Sequence, residues 1–459
     1  MSDLLSNNKS GWLGASDQDR GAIYDFARAY IDFIGSSKTE RLIVEHAEQI
    51  AREHGFRHID EYGELHAGDK VLFNNRGKNL YLAVIGSRNI EEGLNIIGAH
   101  ADSPRLDLKP QPLYQDGDFA FMNTHYYGGI KKYQWTTIPL AIHGVIVRAD
   151  GETIQVHIGE DDNDPVFVIS DLLPHLGKKQ AQEKLTDAIK GEKLDIMVGN
   201  IPAEDSDKPS IKENVMRILN NRYGITEDDF TSAELELVPA FKPRSAGFDE
   251  SLVAAYGQDD KVCVYASLRA MLEIENPERT AVCLFSDKEE IGSMGNTGME
   301  SHVFDTFISD LLNKLNVNRP NLLDKVFCNS RMLSADVDAG VDPLYAEVND
   351  MTNSGFAGHG LVLNKYTGSG GKYNASDANA EYVGFIKRLF RDNGVKYQFS
   401  ELGKVDEGGG GTIAYILANK GVDVIDCGVP VISMHSPYEI TSKFDVYEAY
   451  KGYRAFFRS

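Results

Sequence analysis

Apolar residues recur along this chain with two periods, and the switch between them divides it. Over residues 17–54 the period is helical. Ile23, Phe26, Ala27, Tyr30, Ile31 and Ile34 make one stripe, and Leu42, Ile43, His46, Ala47, Ile50 and Ala51 make another. Asp17 is the expected N-cap of the first helix, Gly35 its end, and Gly55 the end of the second. His46 reads as a packed residue rather than a ligand. Short apolar runs at 80–85 and 94–99 follow, bounded by Gly or charged residues, the pattern of strands buried on both faces. Runs at 280–285 and 422–425 repeat it, and 443–457 reads as a terminal helix.

Between residues 107 and 244 the texture changes. Alternation and turns dominate, Asp150-Gly151 is a hairpin signal, and 193–208 is charged and contains proline. The pattern predicts an α/β domain formed by 1–106 and 245–459, with an open sheet and helices on both faces, and a β-rich domain inserted at 107–244.

At 459 residues the chain exceeds what one core usually serves, and 42% apolar residues suffice for two. The formal net charge of −22 argues against a nucleic-acid surface. The 4 cysteines form no CxxC pair, and Cys263, Cys283 and Cys427 sit in apolar runs as reduced core residues do. The N-terminus shows no apolar secretion signal and no run is long enough to span a membrane, so a cytoplasmic location is expected.

Carboxylates and histidines collect where apolar runs end. GAHADSP places His100 after a strand, with Asp102 two residues on and on the same side. His100 can then ligate a metal while Asp102 takes its other ring N–H. GQDDK sets Asp259 and Asp260 together, and one carboxylate of such a pair can bridge two cations. SDKEEIGS empties a buried strand into Asp287, Glu289 and Glu290, which repel one another unless cations intervene. Glu290 would ligate while Glu289 serves a metal-activated water as general base. Asp336 in SADVDAG and His435 in CGVPVISMHSPYE complete the series. His-x-Asp and Asp-Asp are common alone and a lone His after an apolar run is usually structural, whereas a buried strand that empties into three carboxylates is unusual. Together, oxygen and nitrogen donors without Cys suit two Zn²⁺ ions, with Co²⁺ or Mn²⁺ as alternatives. Such a pair, roughly 3.5–4 Å apart, serves amide hydrolysis.

These motifs, GAHADSPRLDLKP, SDKEEIGS, LSADVDAG and CGVPVISMHSPYEI with the trailing FDVYEAYKGYRAFF, resemble the aspartyl aminopeptidase family of co-catalytic di-zinc exopeptidases. The resemblance implies a zinc-exopeptidase-like three-layer α/β catalytic domain with an inserted dimerisation domain. It implies a homo-oligomer built from dimers, up to a tetrahedral dodecamer, acting on peptides with free N-termini. Carried over by residue, Asp259 bridges the metals, and His100, Glu290, Asp336 and His435 complete the shells. Glu289 is the base and Asp102 orients His100. His175, in DLLPHLG, reaches a neighbouring subunit's site to help hold the reacting carbonyl. Lys365, in HGLVLNK, or its competitor Lys372 faces an acidic N-terminal side chain. The chain departs from the family pattern where Asp260 follows the bridging carboxylate.

Other chemistries read less well. GSGGKY lacks the first glycine and the Ser or Thr of a phosphate loop, and there is no HExxH helix. The run Gly408–Gly411 could offer free N–H groups to an anion, but close backbone packing is the simpler reading. A deacylase or carboxypeptidase would use the same metal core, and a non-catalytic scaffold would be expected to have lost ligands.

Overall fold

Strands buried on both faces run through the middle of a nine-stranded mixed sheet. The structure, a computed structural model, describes residues 8–204, 210–317 and 319–459. Residues 1–7 of the N-terminal segment and 205–208 of the charged segment lie outside the described residues. Across the sheet the strands are Arg57–His58, Lys70–Asn75, Asn79–Val84, Ala281–Ser286, Asn95–His100, Arg331–Ser334, Asp423–Gly428, Leu361–Asn364 and Tyr397–Phe399. From Ala281–Ser286 to Asp423–Gly428 each strand is parallel to the next, so their C-terminal ends share one edge.

Alternate residues of these strands feed two cores. Ile97, Ala99, Cys283, Phe285, Leu333 and Ile425 pack on one face with helices Asp17–Ser36, Glu40–Glu53, Gln258–Leu272 and Lys443–Phe457. Ile96, Val282, Leu284, Met332 and Val424 pack on the other with Val303–Lys314 and Leu322–Cys328. With both faces covered, the two-residue period of a strand leaves no polar positions, hence the continuous apolar runs. Each such Ile, Val, Leu, Met or Phe side chain contributes about 1.5–3 kcal/mol on burial.

The first helix is capped by Ser16, not Asp17. Ser16 Oγ accepts from the Asp19 N–H at 3.2 Å and the Asp19 carboxylate accepts from the Ser16 N–H at 3.0 Å, a reciprocal capping box that Asp17 is too late in the chain to make. His46 is half-buried, its Nδ1 2.8 Å from Ser37 Oγ. Cys263, Cys283 and Cys427 are buried thiols and Cys328 is exposed. Among the described residues no helix is long and apolar enough to cross a membrane.

By packing, the chain separates into two units. One holds residues up to 102, 243–434 and 439–459; the other holds 103–242 together with 435–438. The first unit also contains a five-stranded sheet ordered Arg244–Ala246, Leu252–Ala255, Glu439–Ser442, Pro430–Ile432, Asp338–Ala339. The second is built on six antiparallel strands ordered Thr153–Ile158, Leu140–Val147, Ala233–Pro239, Arg105–Asp116, Phe119–Tyr127, Ile196–Gly199. Its Leu140–Val147 and Thr153–Ile158 hairpin turns at Asp150-Gly151, where Gly151 takes φ 86°.

One buried acid makes the first unit pH-sensitive. Asp426, 3% exposed, accepts from Thr412 Oγ at 2.7 Å, and burial pushes its carboxyl up to about 6. A folded pKa above the unfolded one favours the fold while the group is protonated, and that contribution is lost as pH rises through 6. Asp426→Asn should therefore be more stable than wild type at pH 7–8, by about 1–3 kcal/mol. The gain should vanish near pH 4, as read by chemical denaturation across pH.

Candidate metal centre

His100 ends the strand Asn95–His100 in register with Ser286 of the neighbouring strand. Beyond the strand ends the chains stay joined: the Ala101 N–H donates to the Ser286 carbonyl at 2.7 Å and the Ala335 N–H to the Gly98 carbonyl at 2.6 Å. The loops carrying Asp102, Glu289, Glu290 and Asp336 thus leave adjacent strands at one edge. Gly428, next along that edge, has no room for a side chain, since a Cβ there would lie 1.7 Å from the Asp336 carbonyl oxygen. Asp259 and Asp260 arrive from the start of helix Gln258–Leu272, with the Asp259 N–H held by Glu439 Oε2 at 3.2 Å.

The partners of His100 define the chemistry. Its Nδ1 lies 3.0 Å from the Asp102 backbone carbonyl, which can only accept, so Nδ1 carries the hydrogen. In the neutral ring Nε2 is then a bare lone pair. It faces Asp259 Oδ1 at 3.1 Å, Asp336 Oδ1 at 3.8 Å and Glu289 Oε2 at 3.9 Å. These carboxylate oxygens are acceptors, and a cation or a proton reconciles them with the nitrogen lone pair. The ligand atoms of His100, Asp260 and Asp336 lie within 4.8 Å of one another, as do those of His100, Glu289 and Glu290. This nitrogen and oxygen set fits a borderline divalent ion such as Zn²⁺.

The titrating groups register the same conflict. Burial pushes the His100 imidazole down, but hydrogen bonds to Asp102 and Asp259 outweigh it and hold the ring well above its ordinary range. Burial pushes the Asp260 and Asp336 carboxyls well above theirs; Asp259 adds to both and Glu289 to Asp336, while His100 opposes.

Asp102 does more than the sequence indicates. Its Oδ1 stands 3.4 Å from His100 Nδ1, so its carboxylate and carbonyl both face the ring. The same carboxylate accepts the Glu289 N–H at 3.1 Å and the Glu290 N–H at 3.2 Å. It therefore positions the short turn Glu289–Ile291 as well as the histidine. Asp260, read from sequence only as the neighbour of Asp259, is fully buried and accepts the His100 backbone N–H at 3.1 Å. The adjacent acids were its only sequence signal.

The remaining candidates sit on other segments of the chain. His435 belongs to the short segment that packs with the second unit, where its Nδ1 donates to the Gly129 carbonyl at 2.9 Å. His175 is exposed in a loop of the second unit beside the exposed Leu172, Leu173 and Leu176. Lys365 and Lys372 both bind Asp377, each at 2.9 Å. Near them a cavity of about 610 Å³ is lined by Ser369, Tyr373, Asn374, Gly409 and Tyr415. The Tyr415 hydroxyl donates to Glu300 at 2.6 Å, and burial, then Glu300 and Glu289, push it up to about 12.

Residues 33–457 match the family model of the aminopeptidase I zinc metalloproteases, M18. The chain belongs to the M18 aminopeptidase family. A probable M18 family aminopeptidase 1 from Clostridium acetobutylicum is 50% identical over 459 residues, covering 99% of both chains. The crystal structure of an M18 aminopeptidase from Thermotoga maritima matches with TM-score 0.96 and 44% identity, over 99% of this chain and 100% of that one. The Saccharomyces cerevisiae mApe1 dodecamer shares the fold at TM-score 0.76 and 24% identity, over 94% of this chain and 96% of that one. As an M18 member the protein is an aminopeptidase, a hydrolase of peptide bonds in a zinc-dependent family. Zinc, the metal of that family, is a cation of the class that the donor set around His100 fits.

Proposed function

We propose that this M18 enzyme removes N-terminal residues with two divalent ions, zinc first, held by His100, Asp259, Glu290, Asp336 and His435, and with Glu289 as general base. The observation that carries the reading is the bare Nε2 of His100 among acceptor-only carboxylates. Bound there, the ions supply Lewis acidity toward water and the scissile carbonyl. Glu289, its side chain 17% exposed and its backbone held by Asp102, takes a proton from the attacking water and passes it to the leaving amine. With its Nδ1 hydrogen on the Gly129 carbonyl, His435 would offer Nε2 to the second ion.

The second unit would serve as the dimerisation domain, inserted between the two parts of a three-layer catalytic domain. In an assembly of dimers, up to a dodecamer, His175 on its exposed loop would reach a neighbouring subunit and steady the reacting carbonyl. A free α-amine is part of the proposal. An N-acetylated peptide should be cleaved at least about 100-fold more slowly than its free form, the scale of a lost charged contact. Equal rates would favour the deacylase or carboxypeptidase reading.

For specificity, an acidic N-terminal residue would be read by Lys365 and Lys372, which together outweigh the single carboxylate of Asp377 between them. A second reading, uncharged residues, is favoured by the cavity near Tyr415, whose lining carries no charged side chain. In a panel of N-terminal residues, the Lys365→Met, Lys372→Met double variant should lose about 10–100-fold on Asp and Glu if the lysines are the readers. An unchanged profile would support the uncharged preference.

A further inference from the structure

The six-stranded sheet of the second unit carries an imidazole pair that peptide hydrolysis does not use. His143 and His157 stand directly opposite each other on Leu140–Val147 and Thr153–Ile158. Such partners project from the same face of a sheet. Their Nδ1 atoms are 3.1 Å apart, with the ring planes at 57°. His143 Nε2 lies 2.9 Å from Glu160 Oε1. An ionised carboxylate only accepts, so that nitrogen carries the hydrogen and Nδ1 of the neutral ring is bare. A metal-ligating histidine has this form, with a lone pair toward the ion and the other N–H fixed on a carboxylate. Two imidazole nitrogens on one tetrahedral zinc, each at ~2.0–2.1 Å, stand about 3.3 Å apart.

The surrounding charge favours a cation. Glu236, 4% exposed, pairs with His143 on its other side, and Arg105 links Glu236 at 3.2 Å to Asp107 at 2.8 Å. Glu160 and Glu236 thus put a carboxylate on either side of His143, and Arg105 is among the groups that meet Glu236. The His143 side chain is 4% exposed, whereas His157 is exposed on the outermost strand, so the pair is anchored on one side and open to solvent on the other.

We propose that His143 and His157 chelate a divalent transition cation, of the class Zn²⁺, Ni²⁺ or Cu²⁺, through their Nδ1 atoms, with Glu160 fixing the His143 tautomer. Water fills the remaining positions. Among the described residues Thr153–Ile158 is hydrogen-bonded to a strand on one side only, so the cation clips the sheet's edge to its neighbour. The pair shares no residue with the proposed catalytic centre, and His157 is placed in no catalytic role.

The test uses the full chain with its catalytic centre saturated in Zn²⁺, as judged by constant activity, and then exposed to further Zn²⁺. Anomalous diffraction at the zinc edge should show a peak about 2.0–2.2 Å from both Nδ1 atoms. Calorimetry should show one additional Zn²⁺ per chain, and the melting temperature should rise by a few degrees. All three signals should be absent in His157→Gln, whose peptidase activity should match wild type. Peaks at the catalytic centre with none at the pair would reduce it to an imidazole–imidazole hydrogen bond and overturn the proposal. Additional zinc retained in His157→Gln would do the same.

Discussion

Glu289→Gln should still bind its metal ions while turning over about 10²–10⁴-fold more slowly than wild type. The amide keeps the volume of the carboxylate but cannot accept a proton at neutral pH. The turn itself should not move, because Asp102 holds it through the backbone N–H groups of Glu289 and Glu290 rather than through the Glu289 side chain. Paired measurements of kcat on a free peptide and of metal content check this. If zinc is lost in parallel with activity, Glu289 is a ligand and the assignment as base is wrong.

Asp102→Ala should combine the largest loss of structure with a loss of metal. The substitution leaves two backbone N–H groups without their carboxylate acceptor and removes one of the groups facing His100 Nδ1. Hydrogen bonds to charged groups are worth about 1.5–3 kcal/mol each, so a stability loss of roughly 3–5 kcal/mol is expected. Metal affinity should fall about 10–100-fold. One effect works the other way. Asp287 has its carboxyl pushed up to about 6 by burial, then Glu40, then Asp102, so removing Asp102 relieves some like-charge repulsion. That relief is smaller than the loss of two charge-assisted hydrogen bonds. Asp102→Asn keeps one acceptor oxygen and should fall between wild type and Asp102→Ala in both melting temperature and zinc retention. An alanine variant that melts and binds zinc like wild type would remove Asp102 from the positioning role.

The elements of the first unit were legible because burial on both faces of a strand is a local composition signal. Residues 94–99 and 280–285 sit within one residue of the strands Asn95–His100 and Ala281–Ser286. The helix Lys443–Phe457 was readable from its apolar spacing in the same way. The start of the first helix was misread by one position, because a cap is decided by which side chain reaches the N–H three residues on, here Ser16 to Asp19. The return of 435–438 to the second unit left no mark, since nothing in the local sequence says which neighbour a short loop will pack against.

Sequence alone determined the strand-forming runs, the residue types that close them and membership of a metal-dependent peptidase family. These are properties of residue identity and short spacing, which persist however the chain is folded. Tertiary structure alone decided that Nε2 of His100 is the bare nitrogen and that Asp259 faces it from 159 residues away. It also decided that Asp102 holds N–H groups 187 and 188 positions distant, and that Lys365 and Lys372 share one Asp377. Tautomer, hydrogen-bond partner and local charge balance depend on which segments the sheet order brings together. The 281–286 strand lies beside 95–100 because the whole sheet buries its faces best that way, and no local pattern encodes that choice.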